Sequence, residues 1–159
     1  MNIFALNINP SIASQMHTDK HIVKMPLETA QLLCTAQNLN GIAGRYKSTH
    51  INHPCSIWTR QSLSNYKWLG ELGLELCKEY TFRYNKVHAC EKVIKECLIN
   101  LPSIQDIGLT PFATAMPDEC KVENDPIQSY KNYYLTHKTH LFSWKNRNAD
   151  QIINSLTSK

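Results

Sequence analysis

His17, Asp19, Lys20, His21, Lys24 and Glu28 crowd into one short run, HTDKHIVKMPLETAQLL (residues 17–33), that otherwise has the apolar periodicity of a helix. On a helix His17 and His21 are one turn apart, as are Lys20 and Lys24, and Lys24 and Glu28. A face with imidazoles, ammonium groups and a carboxylate can be a solvated helix surface, or it can do one of two kinds of chemistry. In the first, His17 and His21 with Asp19 or Glu28 bind a divalent metal. The pattern is poor for that, because the glutamate that follows the first histidine in metalloproteases is missing and Asp19 points off the face that His17 and His21 share. Neither a metal nor an organic cofactor is expected. In the second, an amine (Lys24 or the α-amine of Met1) attacks a carbon centre while Glu28 handles protons and charge, with His17, His21 and His53 as polar lining. Such an arrangement suits a lyase or glycosylase acting on nucleic acid.

Two further clusters point to a polyanionic partner. FRYNKVHACEK gathers Arg83, Lys86 and His88 where one helix gives way to the next, a place from which phosphates are easily contacted. SYKNYYLTHKTHLFSWKNR interleaves Tyr130 and other aromatics with Lys131, Lys145 and Arg147, so that bases could stack while neighbouring cations take phosphates. Asp19, Lys20, Asn52, His53 and Trp58 complete the candidate substrate-binding set, Trp58 as a stacking surface beside an extruded base. Many of these aromatics could equally be core. The expected partner is double-stranded DNA; a formal charge of +4 is compatible with it but does not demand it.

The elements that must position these residues are helical. MNIFALNINP, with Ile3, Ala5 and Ile8 alternating, is expected as a short extended arm. A helix capped by Ser11 should run to about Leu39, bent or divided by Pro26. NGIAGRYKSTHINHPC is a loop; a long helix is expected over about Ser56–Tyr84 and a shorter one over about His88–Asn100. Residues 101–125, with three prolines and a glycine, form a long connection whose role as lid or packing is open. Asp125-Pro126 then starts a last helix near 126–140. The fold class is therefore all-α: a compact single-domain bundle of about four helices with long loops, residues 1–150, followed by a frayed helical tail, 151–159. At 159 residues the chain can bury a core unaided. Its 19% charged residues exclude a highly charged disordered chain. The six cysteines contain no C-x-x-C pair and follow no recognisable secretory leader, so they are expected as reduced, mostly buried thiols. No apolar stretch approaches the roughly 20 residues that span a bilayer. A cytoplasmic protein is expected, in host cytoplasm if the chain is viral, with no membrane partner.

Several segments together resemble the pyrimidine-dimer DNA glycosylases of the phage endonuclease V type. They are ASQMH followed by HIVKMP, NHP followed by Trp58, NYKWLGELGLELCKEYTFRY and YKNYY. DKHIVKMPLETAQLL, NHPCSIW and LTPFATAMPD are also similar to segments of uncharacterised phage proteins given that activity. The resemblance covers most of the chain and implies a small all-α DNA-repair enzyme. In that family the N-terminal α-amine, freed by removal of methionine, attacks the sugar C1′ to give an imine that undergoes strand cleavage, and a glutamate of the first helix assists. This chain departs from the pattern at both places. Asn2 is large for routine methionine removal, and the position nearest the family's glutamate, counted back from Pro26, is Lys24, with Glu28 one turn later. The residues and the resemblance together lead to a DNA glycosylase or abasic-site lyase acting on an extruded base or damaged nucleotide. Glu28 would be the acid/base, and Met1 or Lys24 the nucleophile. Two alternatives stand beside it: a non-catalytic DNA- or nucleotide-binding protein on the same scaffold, and a metal-dependent hydrolase.

Overall fold

A computed structural model describes all 159 residues and is all-helical. The chain forms α1 (Pro10–Met16), α2 (Asp19–Asn38), α3 (Pro54–Gln61), α4 (Leu63–Tyr84), α5 (Glu91–Ile99), α6 (Pro126–His137) and α7 (Ala149–Thr157). Single 3₁₀ turns lie at Asp118–Cys120 and Thr139–Leu141. No helix is long and apolar enough to cross a membrane. All six cysteines are free and buried.

Seven helices stand where about four were expected, because two long periodic runs are each broken by tertiary bonds that periodicity does not show. The first helix ends at His17, not at Pro26: Thr18 turns to extended backbone and caps α2 through its hydroxyl, which accepts from the His21 amide. Pro26 lies inside α2 and the helix continues through it. α1 is capped by Asn9 rather than Ser11, with the Asn9 side chain accepting from the amides of Ser11 and Ile12. The second run breaks at Ser62, whose hydroxyl donates to Asp106 and accepts from the Ile107 amide, so the long connection pins the break. The supposed tail is α7, anchored by buried Ile152 and Leu156.

α4 runs through the middle of the bundle and packs on α1, α2, α3 and α5. Its approach to α2 is tight at Gly73: a Cβ there would lie 2.8 Å from the Thr29 methyl and 3.0 Å from Ile94. That close approach fixes the segment of α2 next to Glu28. A continuous core of 31 residues runs from Ile3 to Leu156.

The arm is not an alternating extended segment. Ile3, Phe4, Ala5 and Leu6 are all buried, while Ile8 is exposed. Phe4 adopts φ +37°, a left-handed conformation that costs a non-glycine residue roughly 1–3 kcal/mol and persists only where the surroundings impose it. Here the Phe4 ring stacks on His21 at 4.3 Å and on Tyr133 at 5.9 Å. The connection 101–125 is packing and not a lid. Phe112 lies among Trp58 and Trp68, and Thr110 exchanges hydrogen bonds with Asn65. The carbonyls of Ala113 and Ala115 take Tyr130 and Asn2.

Candidate active site

The arm and α2 meet at Glu28. Its carboxylate is 8% exposed; Oε1 lies 3.3 Å from the Met1 amine and accepts from the Asn2 amide at 3.0 Å, and Oε2 lies 3.4 Å from Lys24 Nζ. Lys24 itself is 68% exposed, so its ammonium is hydrated while the carboxylate is not. The arm is held in place by Asn2, whose Oδ1 accepts from the amides of Ile3 and Phe4 and whose Nδ2 donates to the Ala115 carbonyl. Asn2 was not among the candidate residues; an asparagine that bonds backbone two residues on is a recognised turn device, and that was the available signal.

α3 brings in His53. Its Nδ1 accepts from the Cys55 amide at 3.0 Å as the helix N-cap, which leaves the ring proton of the neutral form on Nε2. Burial, the positive Met1 amine and His50 hold His53 below its ordinary pKa, against the opposing pull of Glu28. The thiol of Cys55, buried under the arm, is pushed up to about 11, chiefly by burial, and is not a nucleophile at neutral pH. An amine on a buried carboxylate beside a neutral imidazole can pass one proton and then attack an electrophilic carbon.

Beside this site opens a cleft of about 810 Å³, in which Lys20 and Lys24 of α2 and Tyr84 of α4 face Lys138, His140 and Phe142. Lys138, His140 and Phe142 belong to the aromatic-basic run noted in the sequence, but they are not the members of it chosen as candidates. Among the chosen, Lys20 and Lys24 line the cleft, and Lys145 lies with its Nζ over the Tyr84 ring. Asn52 is exposed beside His53.

Several expected contacts with substrate are corrected. Arg83 is fully buried: it donates to Glu79, to Asp19 and to the carbonyls of His17 and Gln15, and so ties α4 to the break between α1 and α2. Asp19 is occupied by Arg83, by the Ser143 hydroxyl and by the Lys145 amide. Arg147 grips both oxygens of Glu79. Tyr130 and Trp58 are core side chains whose polar atoms donate to the carbonyls of Ala113 and Thr110, so neither is a stacking surface for a base. His88 bonds the Val23 carbonyl, and Lys131 lies by the Ser158 carbonyl. Lys86 is exposed on the turn after α4, outside the cleft lining.

His17 and His21 are not a catalytic or metal-binding pair. His17 is wholly buried with Nδ1 on the Ala13 carbonyl. His21 Nδ1 shares a hydrogen bond with the Tyr134 hydroxyl under Phe4, and the ring shows only an edge to the cleft. No three His, Cys, Asp or Glu side chains converge to hold a metal ion, so the metal-dependent reading has no ligand set. Burial takes His17 down to about 4 and, helped by His17, Lys138 and Lys24, His21 down to about 3. Both are neutral in the folded chain and titrate near 6.5 once unfolded. Below that pH the unfolded state binds more protons, so stability is lost as pH falls from about 6.5 towards 4. Unfolding free energies from urea titrations at pH 7 and pH 5 should differ by roughly 2 kcal/mol per histidine. A flat profile between those pH values contradicts two neutral buried imidazoles.

No curated protein and no solved structure matches this chain. A family model described as pyrimidine dimer DNA glycosylase matches residues 1–92, more than half of the sequence. That stretch holds the arm, Lys24, Glu28, His53 and the central helix α4 that supports them, and the chain accordingly belongs to the pyrimidine dimer DNA glycosylase family.

Proposed function

We propose that the protein is a DNA glycosylase and abasic-site lyase that acts on damaged double-stranded DNA through its α-amine. The observation that carries the reading is the Met1 amine 3.3 Å from a carboxylate buried at 8% exposure. The Asn2 nitrogen lies 3.0 Å from the same oxygen, so the reacting amine remains on Glu28 whether or not methionine is removed. Glu28 takes a proton from the ammonium group, and the neutral amine attacks C1′ of an extruded nucleotide. The C–N bond to the enzyme forms as the bond to the base breaks, with the electron pair leaving on the base. The adduct nitrogen gives one of its two protons to the departing base, and the sugar ring opens as Glu28 returns its proton to O4′, which leaves a protonated imine. The imine acidifies the C2′ proton, whose removal expels the 3′ phosphate and cuts the strand. Lys24, exposed and paired to the other carboxylate oxygen, is better placed to hold Glu28 and backbone phosphate than to be the nucleophile.

The test is borohydride trapping on duplex DNA carrying a pyrimidine dimer or an abasic site, followed by peptide mass spectrometry. The expected product is a secondary amine on the first residue of the chain. Bound DNA with no adduct would leave the protein a binder, and an adduct on Lys24 would transfer the nucleophile to that side chain.

A further inference from the structure

The cleft and the carboxylate share one side chain. Lys24 lines the cleft with Lys20, Lys138 and His140, and it is also the partner of Glu28 Oε2 at 3.4 Å. Lys20, Lys24 and Glu28 succeed one another at one-turn intervals along α2, so the far cation lies about 12 Å along the helix axis from the acid. The only acid in the cleft wall, Asp19, is already bonded to Arg83, Ser143 and the Lys145 amide. Lys20 and Lys138 have no acidic partner, so the cleft, which Tyr84 and Phe142 also line, presents a net positive charge to whatever enters. Its far wall, residues 138–143, lies beyond the 1–92 stretch that the family model matches.

We propose that this cleft seats a phosphodiester of DNA and that Lys24 is handed between it and Glu28: an anion in the cleft draws Lys24 off the carboxylate and frees Glu28 Oε2 to take the amine proton. The inference rests on the amine chemistry proposed above. With Lys24 in place, Glu28 faces cations on both oxygens: the Met1 amine from the arm and Lys24 from its own helix. The neutral His53 and Cys55 of the α3 region and the Asn2 amide complete its surroundings. While Lys24 stays on Oε2, both carboxylate oxygens already hold a donor. Moving Lys24 to a phosphate frees one of them at little cost, because the lysine is already mostly in water. The amine proton then passes to Glu28, the neutral amine adds to the sugar aldehyde, and the carbonyl oxygen leaves as water when the imine forms. The site would thus become active when DNA fills the cleft and stay quiescent towards free sugars and metabolite aldehydes.

The test separates the sugar from its phosphates. 2-Deoxyribose, an aldose without phosphate, is incubated with the protein and cyanoborohydride, and the reduced adduct is followed by intact mass with and without inorganic pyrophosphate. Pyrophosphate should accelerate adduct formation on the wild-type chain about fivefold. Lys24→Met should react at the accelerated rate without pyrophosphate and gain nothing from it, and Lys138→Gln should need more pyrophosphate for the same gain. Thermal melts near the wild-type value check that substitution of exposed Lys24 and half-buried Lys138 leaves the fold intact. No acceleration of the wild type, or undiminished acceleration of Lys24→Met, overturns the relay. Abasic duplex DNA is the parallel arm: absence of any adduct there removes the amine chemistry itself, whereas an adduct there with pyrophosphate-indifferent deoxyribose removes only the relay.

Discussion

Glu28→Gln should lower the rate of imine formation on abasic duplex DNA by about 10²–10⁴-fold while DNA affinity stays within about threefold of wild type. The substitution is nearly isosteric. A glutamine Oε1 can still accept from the Asn2 amide, so the arm keeps its anchor, and the Asn2 side chain continues to hold Ile3, Phe4 and Ala115. What disappears is the charge beside the Met1 amine and the capacity to take its proton. Without that acceptor no carboxylate beside the amine can take its proton on the way to attack. Lys20 and Lys138 line the cleft without pairing to Glu28, and Lys24 loses only its partner on Oε2, so the phosphate contacts proposed for them should survive. Single-turnover trapping measures the first quantity and fluorescence anisotropy with a non-cleavable abasic analogue measures the second. Activity retained within tenfold would take the acid/base role away from Glu28. A parallel loss of affinity and of the thermal transition would show that the carboxylate holds the arm rather than running the chemistry.

Glu28 was legible in the sequence because the information is local: Lys20, Lys24 and Glu28 share a face by helical spacing alone, and any helix through residues 19–38 puts them together. The all-α class was legible for the same reason, since α2 and α4 repeat their apolar residues over long stretches. The position of the amine was not. It depends on four consecutive buried arm residues, on Phe4 in a left-handed turn and on an Asn2–Ala115 bond that spans most of the chain. Counting from Pro26 placed Lys24 where the family has its glutamate; in three dimensions the arm comes to Glu28 instead. The helix breaks at Thr18 and Ser62 were missed because each is stabilised by partners far away, Arg83 and Tyr134 for the first and Asp106 for the second. Trp58 and Tyr130 look like stacking surfaces in a basic, aromatic sequence. They are core because Trp68, Phe112 and the carbonyls of Ala113 and Thr110 are waiting for them.

Arg83 is the case in which sequence and structure assign opposite roles, and Arg83→Met decides between them. The guanidinium has no exposed surface and spends its donors on Glu79 Oε2 at 2.8 Å, Asp19 Oδ1 at 3.0 Å and the carbonyls of His17 and Gln15 at 2.8 and 3.0 Å. Methionine fills much of the same volume but satisfies none of these acceptors. Glu79 keeps Arg147, and Asp19 keeps Ser143 and the Lys145 amide, yet two carbonyls at the end of α1 are left buried without donors and each carboxylate loses a cation. Removing one partner of a buried ion pair costs about 3–5 kcal/mol, a large part of the roughly 5–15 kcal/mol that holds a domain folded. Urea denaturation at pH 7 should show that loss, with little dependence on salt because the network is shielded from solvent ions. Arg83→Lys should recover only a fraction, since an ammonium group cannot reproduce the planar fork that reaches α1, Asp19 and Glu79 together. At temperatures where the variant is still folded, its DNA affinity should be close to wild type. A loss of stability under about 1 kcal/mol together with a marked loss of DNA binding would restore Arg83 to the phosphate-contacting role that its sequence context suggests, and would require the C-terminal segment from Ser143 to Arg147 to open when DNA binds.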